Sequence, residues 1–221
     1  MDNKFWHQKW QTNEIGFNQP QPNKLMQRYF PTLNLKSGDR VFVPLCGKSI
    51  DMIWLAGQGY KVIGVEISQA ACKAFFKENK IPTKKTEIDD FVIYTSDVIT
   101  LISGDIFNLE QSILGDIDAV YDRAALIALP TELRQQYSMH LAQLLELNTP
   151  VFLITTAYDH TQMQGPPFSV DEHEVDTLYN QHFNIEQLYS KPLSEIPTSL
   201  HDKGLLHATE QVYSLVKKSP K

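Results

Sequence analysis

The stretch from Arg40 to Ser68, RVFVPLCGKSIDMIWLAGQGYKVIGVEIS, restricts the possible folds of this chain more than any other. Val41, Phe42, Val43 and Leu45 form the continuous apolar run that a strand buried on both faces of a parallel sheet requires. Cys46-Gly47-Lys48-Ser49 reads as a tight turn. Ser49 is the expected N-cap of the next helix, and Asp51 puts a carboxylate in its first turn, where the helix dipole favours it. Met52, Ile53, Leu55 and Ala56 give this helix an apolar face, and Gly57 and Gly59 end it. Val62-Ile63-Gly64-Val65 is a second strand that stops at Glu66. A carboxylate there, about 20 residues beyond the first turn, is placed to accept hydrogen bonds from ribose hydroxyls.

The turn narrows the ligand further. A dinucleotide site reads G-x-G-x-x-G, and only one of those glycines is present. Gly47-Lys48-Ser49 matches the tail of the phosphate loop G-x-x-x-x-G-K-[ST], but Phe42 stands where its first glycine belongs. A diphosphate or triphosphate therefore has no cradle. A nucleoside without phosphates fits better, and S-adenosylmethionine is such a ligand.

With these residues in view, the chain resembles the thiopurine S-methyltransferase family in its short bacterial form, among the class I S-adenosylmethionine-dependent methyltransferases. The resemblance rests on VFVPLCGKSIDMIWLA followed by VIGVEIS, on Phe5, Trp6 and Trp10, on Tyr121-Asp122-Arg123-Ala124-Ala125-Leu126, and on Gly165-Pro166-Pro167-Phe168. It runs from about Trp6 to the C-terminus. It implies a Rossmann-like, doubly wound α/β fold: a mostly parallel seven-stranded sheet with helices on both faces, ending in an antiparallel edge strand. It also implies a single methyltransferase domain over residues 1–221, in which residues 1–35 form an arm and helix that close the site.

The activity implied is transfer of a methyl group from S-adenosylmethionine to the thiolate of an aromatic or heterocyclic small molecule such as a thiopurine, with selenium and tellurium compounds as further acceptors. The cofactor contacts implied are Trp10, Leu45, Cys46, Gly47, Glu66, Asp105, Ile106 and Arg123. Phe17, Pro167 and Phe168 face the acceptor, and Arg123 is the catalytic cation. One departure concerns the acceptor side. Vertebrate members carry a second arginine there, whereas Glu195 to His201 contains none, which leaves His201 and Lys203 as substitutes. Two alternatives share the strand-turn-helix-strand plan: an NAD-type oxidoreductase, which the missing glycines count against, and a non-catalytic module that binds the adenosyl ligand.

Composition is ordinary for a soluble globular protein. The 221 residues fit one large domain, 42% of them are hydrophobic and 21% charged. A net charge of -6 argues against nucleic acid as a partner. Only Cys46 and Cys72 are present, so a reducing cytoplasm is the expected compartment. No apolar segment is long enough to span a bilayer, and MDNKFWHQKW lacks a signal-peptide core. The seven histidines are scattered and form no H-E-x-x-H, which argues against a metal site, and no heptad seam suggests more than a monomer.

The remaining chain supplies the other elements. Helices are expected over Pro22 to Leu33, after Ser68 with Ala71, Cys72, Phe75 and Phe76 inward, over Thr131 to Leu147, and over Asp171 to His182. Phe91 to Tyr94 and Ile99 to Ile102 suit a hairpin, and the second of these leads to Gly104-Asp105-Ile106. Asp105 reads equally as a turn-capping residue. Ile117 to Asp122 and Val151 to Thr156 are further strands, and Ile185 to Tyr189 and Gln211 to Val216 are the last two, the final one expected at an edge. Asp122-Arg123 lies at a strand's carboxyl end, where open α/β sheets bind ligands.

Overall fold

The computed structural model describes residues 3–12, 14–16 and 18–219. The expectation for Phe17 lies outside the described residues. Two compact units are distinguished, Met1–Val120 and Tyr121–Lys221.

The first unit contains helix α1 (Asn3–Gln11), α2 (Lys24–Tyr29) followed by a 3-10 turn, β1 (Arg40–Val43), α3 (Asp51–Gly57), β2 (Lys61–Glu66), α4 (Gln69–Glu78), β3 (Lys84–Ile88), β4 (Phe91–Thr95), β5 (Ile99–Ser103), a 3-10 turn (Ile106–Asn108) and α5 (Gln111–Leu114). Strand β6 (Ala119–Arg123) begins in this unit and ends in the next. β1 pairs in parallel with β2, with Val41 opposite Val62 and Val43 opposite Gly64, and with the start of β6. β2 pairs in parallel with β5, ending at Glu66 opposite Ser103. β4 runs antiparallel to β5, the expected hairpin. Val41, Phe42, Val43, Val62, Ile63 and Val65 are all buried, which explains why their sequence shows no alternation.

One local expectation changes. Ser49 Oγ accepts from the Asp51 N–H at 3.3 Å, but Ile50 occupies the N-cap position of α3. Asp51 lies in the first turn of α3, as expected, and is fully buried there. It accepts the Asn23 N–H at 2.8 Å, while Asn23 Oδ1 caps α2 by accepting from Leu25 and Met26. A buried carboxylate needs such a donor, so Asp51 ties the entry of α2 to the start of α3. α4 behaves as read: Ser68 Oγ accepts from the Ala71 N–H, and Ala71, Cys72, Phe75 and Phe76 are buried.

The second unit contains a 3-10 turn (Leu126–Ala128), α6 (Thr131–Leu144), β7 (Pro150–Ala157), α7 (Glu172–Tyr179), β8 (Phe183–Pro192), α8 (Thr198–His201) and β9 (Thr209–Lys217). β9 was expected at an edge, but it lies between β7 and β8 and pairs antiparallel with both. Val212, Tyr213 and Leu215 are consequently buried, and β8 is the more exposed strand. The described residues form nine strands, not seven, with parallel pairing at β5, β2, β1 and β6 and antiparallel pairing at β3–β4–β5 and β7–β9–β8. No helix of the described residues is long and apolar enough to cross a membrane.

Candidate functional site

In the first unit, β5, β2 and β1 lie side by side and parallel, so their carboxyl ends open on the same side. The turn after β1, Glu66 at the end of β2 and Gly104-Asp105-Ile106 after β5 therefore become neighbours. Backbone hydrogen bonds join them: the Cys46 N–H donates to the Val65 carbonyl at 2.9 Å, and the Gly104 N–H to the Glu66 carbonyl at 3.0 Å.

Glu66 is the centre of this arrangement. Its Oε2 accepts the Gly47 N–H at 3.0 Å and its Oε1 the Ser68 N–H at 2.8 Å. The Trp10 side chain donates to the same carboxylate. Burial pushes the Glu66 pKa up to about 7, against the pull of these three donors. A carboxylate has about four acceptor positions. Three are taken, and a vicinal diol brings two hydroxyls, so a sugar gripped by Glu66 competes with the indole N–H of Trp10.

The turn is held in an unusual shape. Gly47 has φ 53°, which favours glycine, and a Cβ there would stand 3.0 Å from the Trp10 ring and crowd the indole against the turn. Leu45 also has a left-handed φ, 46°. That conformation costs a leucine about 1–2 kcal/mol, and such outliers persist where neighbouring contacts over-determine them. Cys46 is buried, and burial raises its thiol pKa well above the usual range. A small apolar group therefore describes it better than a nucleophile. Asp105 Oδ1 accepts the Phe107 N–H at 3.0 Å and caps the 3-10 turn that carries buried Ile106. The structure thus gives Asp105 the capping task that its sequence context allowed.

The second unit carries the other expected residues. Arg123 is half-buried at the end of β6. Burial raises the Glu210 pKa, and the charge of Arg123 acts against that rise. Its neighbour Asp122 is fully buried. Asp122 accepts the Tyr137 hydroxyl at 2.6 Å and the Leu126 N–H at 3.2 Å, and the Ala125 N–H donates to it as well. Burial lifts the Asp122 pKa to about 6 in spite of these donors. Between Arg123 and Ala125, Ala124 takes φ 63°. The turn is wrapped around one carboxylate.

Pro167 and Phe168 are fixed from the same side. The Phe168 N–H donates to the Ile127 carbonyl at 2.7 Å, and the Tyr158 hydroxyl donates to the Pro167 carbonyl at 2.5 Å. The Arg134 guanidinium lies 5.8 Å from the Phe168 ring centroid, and it donates to the Leu129 carbonyl at 2.8 Å and to Glu174 at 2.7 Å. Lys203, considered a substitute cation, donates to the Pro166 carbonyl at 3.2 Å.

Arg134, Tyr137 and Tyr158 had no part in the sequence-based site. For Tyr137 a signal existed: a tyrosine on the inward face of a helix needs a partner for its hydroxyl. For Arg134 none did, because its helix position only became buried once α7 packed on α6.

Comparison with known proteins adds to this geometry. The family model described as thiopurine S-methyltransferase matches residues 1–218. A thiopurine S-methyltransferase of Pseudomonas fluorescens (strain Pf0-1) is 40% identical over 215 residues, covering 97% of this chain and 99% of that protein. One from Psychrobacter cryohalolentis is 42% identical over 224 residues, covering 98% and 100%. Among solved structures, the Burkholderia thailandensis 1,6-didemethyltoxoflavin-N1-methyltransferase with bound S-adenosylhomocysteine matches with a TM-score of 0.65 at 12% identity, over 98% of this chain and 87% of that one. The magnesium protoporphyrin IX methyltransferase of Synechocystis PCC 6803, also with bound S-adenosylhomocysteine, matches with a TM-score of 0.64 at 16% identity, over 97% and 100%. At such identities these two show the fold, a Rossmann-like α/β methyltransferase fold.

Proposed function

Because the chain belongs to the thiopurine S-methyltransferase family, we propose that it methylates the thiolate of an aromatic or heterocyclic small molecule, with Glu66 gripping the ribose of S-adenosylmethionine and Arg123 facing the acceptor sulfur. The chain is an S-adenosylmethionine-dependent methyltransferase of the thiopurine type. The family match leaves the dinucleotide oxidoreductase without support. The observation that carries the residue assignment is the Glu66 carboxylate, held by the Gly47 and Ser68 N–H groups at the end of β2.

S-adenosylmethionine supplies, when bound, a methyl group already activated on a sulfonium, so binding, alignment and exclusion of water are left to the protein. Leu45, Cys46 and Gly47 would line the methionine portion, Asp105 and Ile106 the adenine, and Trp10 would cover the cofactor. Pro167 and Phe168 would give the acceptor an apolar wall. Arg123 would place a fixed positive charge where the thiolate sits and favour its ionised form, as well as contacting the cofactor. An aromatic thiol that ionises near neutral pH needs no strong general base. Selenols and tellurium compounds ionise more readily still, and belong in the same acceptor panel. The reading takes the protein as a monomer acting in the cytoplasm.

Two measurements test these assignments. Arg123→Ala should lower kcat/KM for an aromatic thiol about tenfold, the equivalent of one charge-assisted hydrogen bond, and should move its optimum to higher pH, because the thiol then ionises unaided. Unchanged kinetics would take Arg123 out of the site. The second is a pH titration of cofactor affinity. Glu66 accepts sugar hydroxyls best as a carboxylate, and in the free protein it titrates at about 7. Below that pH, binding must expel a proton. The Kd for S-adenosylhomocysteine should be flat above pH 8 and rise roughly tenfold per unit below 7, with proton release in calorimetry. A Kd constant from pH 8 to 5.5 would contradict the Glu66 assignment.

A further inference from the structure

We infer that Tyr137 is a positioning residue for the methyl acceptor: through its hydrogen bond to Asp122 it holds the turn that carries Arg123 and anchors Phe168. The inference rests on the reading of Arg123 and Phe168 given above and deepens it.

The chain of contacts is continuous. The Tyr137 hydroxyl, on α6, donates to Asp122 Oδ2 at 2.6 Å. Asp122 Oδ1 accepts the Leu126 N–H at 3.2 Å, and the carboxylate also accepts the Ala125 N–H. Asp122 on one side and those two donors on the other bracket the left-handed Ala124, which follows Arg123 directly. Leu126 opens the 3-10 turn Leu126–Ala128, and the Ile127 carbonyl within it accepts the Phe168 N–H at 2.7 Å. One buried hydroxyl therefore fixes one buried carboxylate, and that carboxylate fixes a strained turn from which a cation and an aromatic wall both hang. A left-handed alanine is kept in place only while its neighbours over-determine it.

The ionisable groups facing Asp122 are Tyr137 from α6 and Tyr179 from α7, each of which feels the Asp122 charge. The Tyr179 hydroxyl is buried and has no hydrogen-bond partner among the described residues. Tyr137 is thus the side-chain donor that keeps Asp122 ionised. Remove its hydroxyl and the carboxyl is left with backbone donors alone, so its pKa rises further and the turn loosens at a higher pH.

The test uses the full chain, saturating S-adenosylmethionine and an electron-poor aromatic thiol that stays ionised down to pH 5. Y137F should lower kcat/KM for the thiol about tenfold at pH 7 and move the acid limb of the pH profile upward by about one unit. An unmoved acid limb overturns the inference. If Y137F does not fold, D122N decides: its amide keeps the shape, and the acid limb should vanish, whereas its persistence overturns the inference. R123A separates the two readings. If R123A is impaired and Y137F is not, the positioning role alone falls. If R123A turns over normally, the reading of Arg123 falls and this inference with it.

Discussion

Glu66→Ala is expected to weaken S-adenosylhomocysteine binding by a hundredfold or more, while the stability of the free protein at pH 8 changes by no more than about 1 kcal/mol. The two halves of this expectation have different physical origins. Two sugar hydroxyls donating to one carboxylate are charge-assisted bonds worth about 1.5–3 kcal/mol each. Losing both multiplies the Kd by at least two powers of ten. Stability is a balance. The carboxylate satisfies the Gly47 and Ser68 N–H groups and the Trp10 side chain, and an alanine leaves those donors without it. Against this, the buried charge is costly. Lifting the Glu66 pKa from 4.5 to about 7 corresponds to about 3 kcal/mol of disfavoured ionisation above pH 7, which alanine does not carry.

The sign of the pH dependence follows. For a carboxyl whose folded pKa is raised, the folded state binds the proton first as pH falls. The cost is therefore complete above pH 7 and gone below about 4.5. Wild type should gain stability relative to Glu66→Ala as pH falls from 8 to 5, a trend read from denaturant midpoints of the two proteins. Glu66→Gln is not a silent replacement, because both carboxylate oxygens accept a backbone N–H and an amide offers only one acceptor. It should lose affinity as alanine does and lose more stability. A Glu66→Ala protein that binds the cofactor normally would reduce Glu66 to a staple between the two turns.

The elements that the sequence reveals are those whose residues share one environment along the whole segment. β1 and β2 are buried on both faces, so a continuous apolar run identifies them, and Glu66 marks the point where the run meets polar groups. α4 has its serine cap and its four buried side chains in helical spacing. β3 was hidden for the opposite reason. Lys84 to Ile88 are all exposed, and the strand exists because Asp89 adopts φ 50° in a two-residue connection that sets it against β4. No apolar pattern announces such a strand. α1 was read as a polar arm, since its aromatic residues look like isolated anchors until Trp10 reaches Glu66, 56 residues ahead. The Asp122–Tyr137 bond spans 15 residues and joins a strand to a helix. Each residue was visible, but a pairing across elements is a property of packing that periodicity does not encode.

Gly64→Val is expected to cost about 3 kcal/mol or more of stability, and the position explains how a turn with so few glycines closes on its sheet. Gly64 lies in the middle of β2, between Val43 on one side and Leu101 on the other. A Cβ at this position would stand 2.6 Å from Cys46 Sγ and 2.7 Å from Leu101 Cδ2, with Cys46 Cβ at 3.2 Å. The Cys46 and Leu101 side chains are buried and have little room to retreat. Overpacking of this kind costs about 1–3 kcal/mol and occasionally more, and valine adds two methyl groups beyond the Cβ. In a chain of this length, 3 kcal/mol lowers Tm by roughly 10 °C. A glycine inside a strand marks a close approach of something else, and here the visitor is the side chain of the turn itself. Cys46 fills the space over Gly64, which lets the turn sit down on β2 and bring the Gly47 N–H to Glu66. Removing the thiol should therefore rescue part of the loss. In a double-mutant cycle, Cys46→Gly is predicted to offset Gly64→Val by about 1 kcal/mol, within the range found for residues in contact. Strict additivity of the two substitutions would show that Leu101, not Cys46, sets the limit at this position.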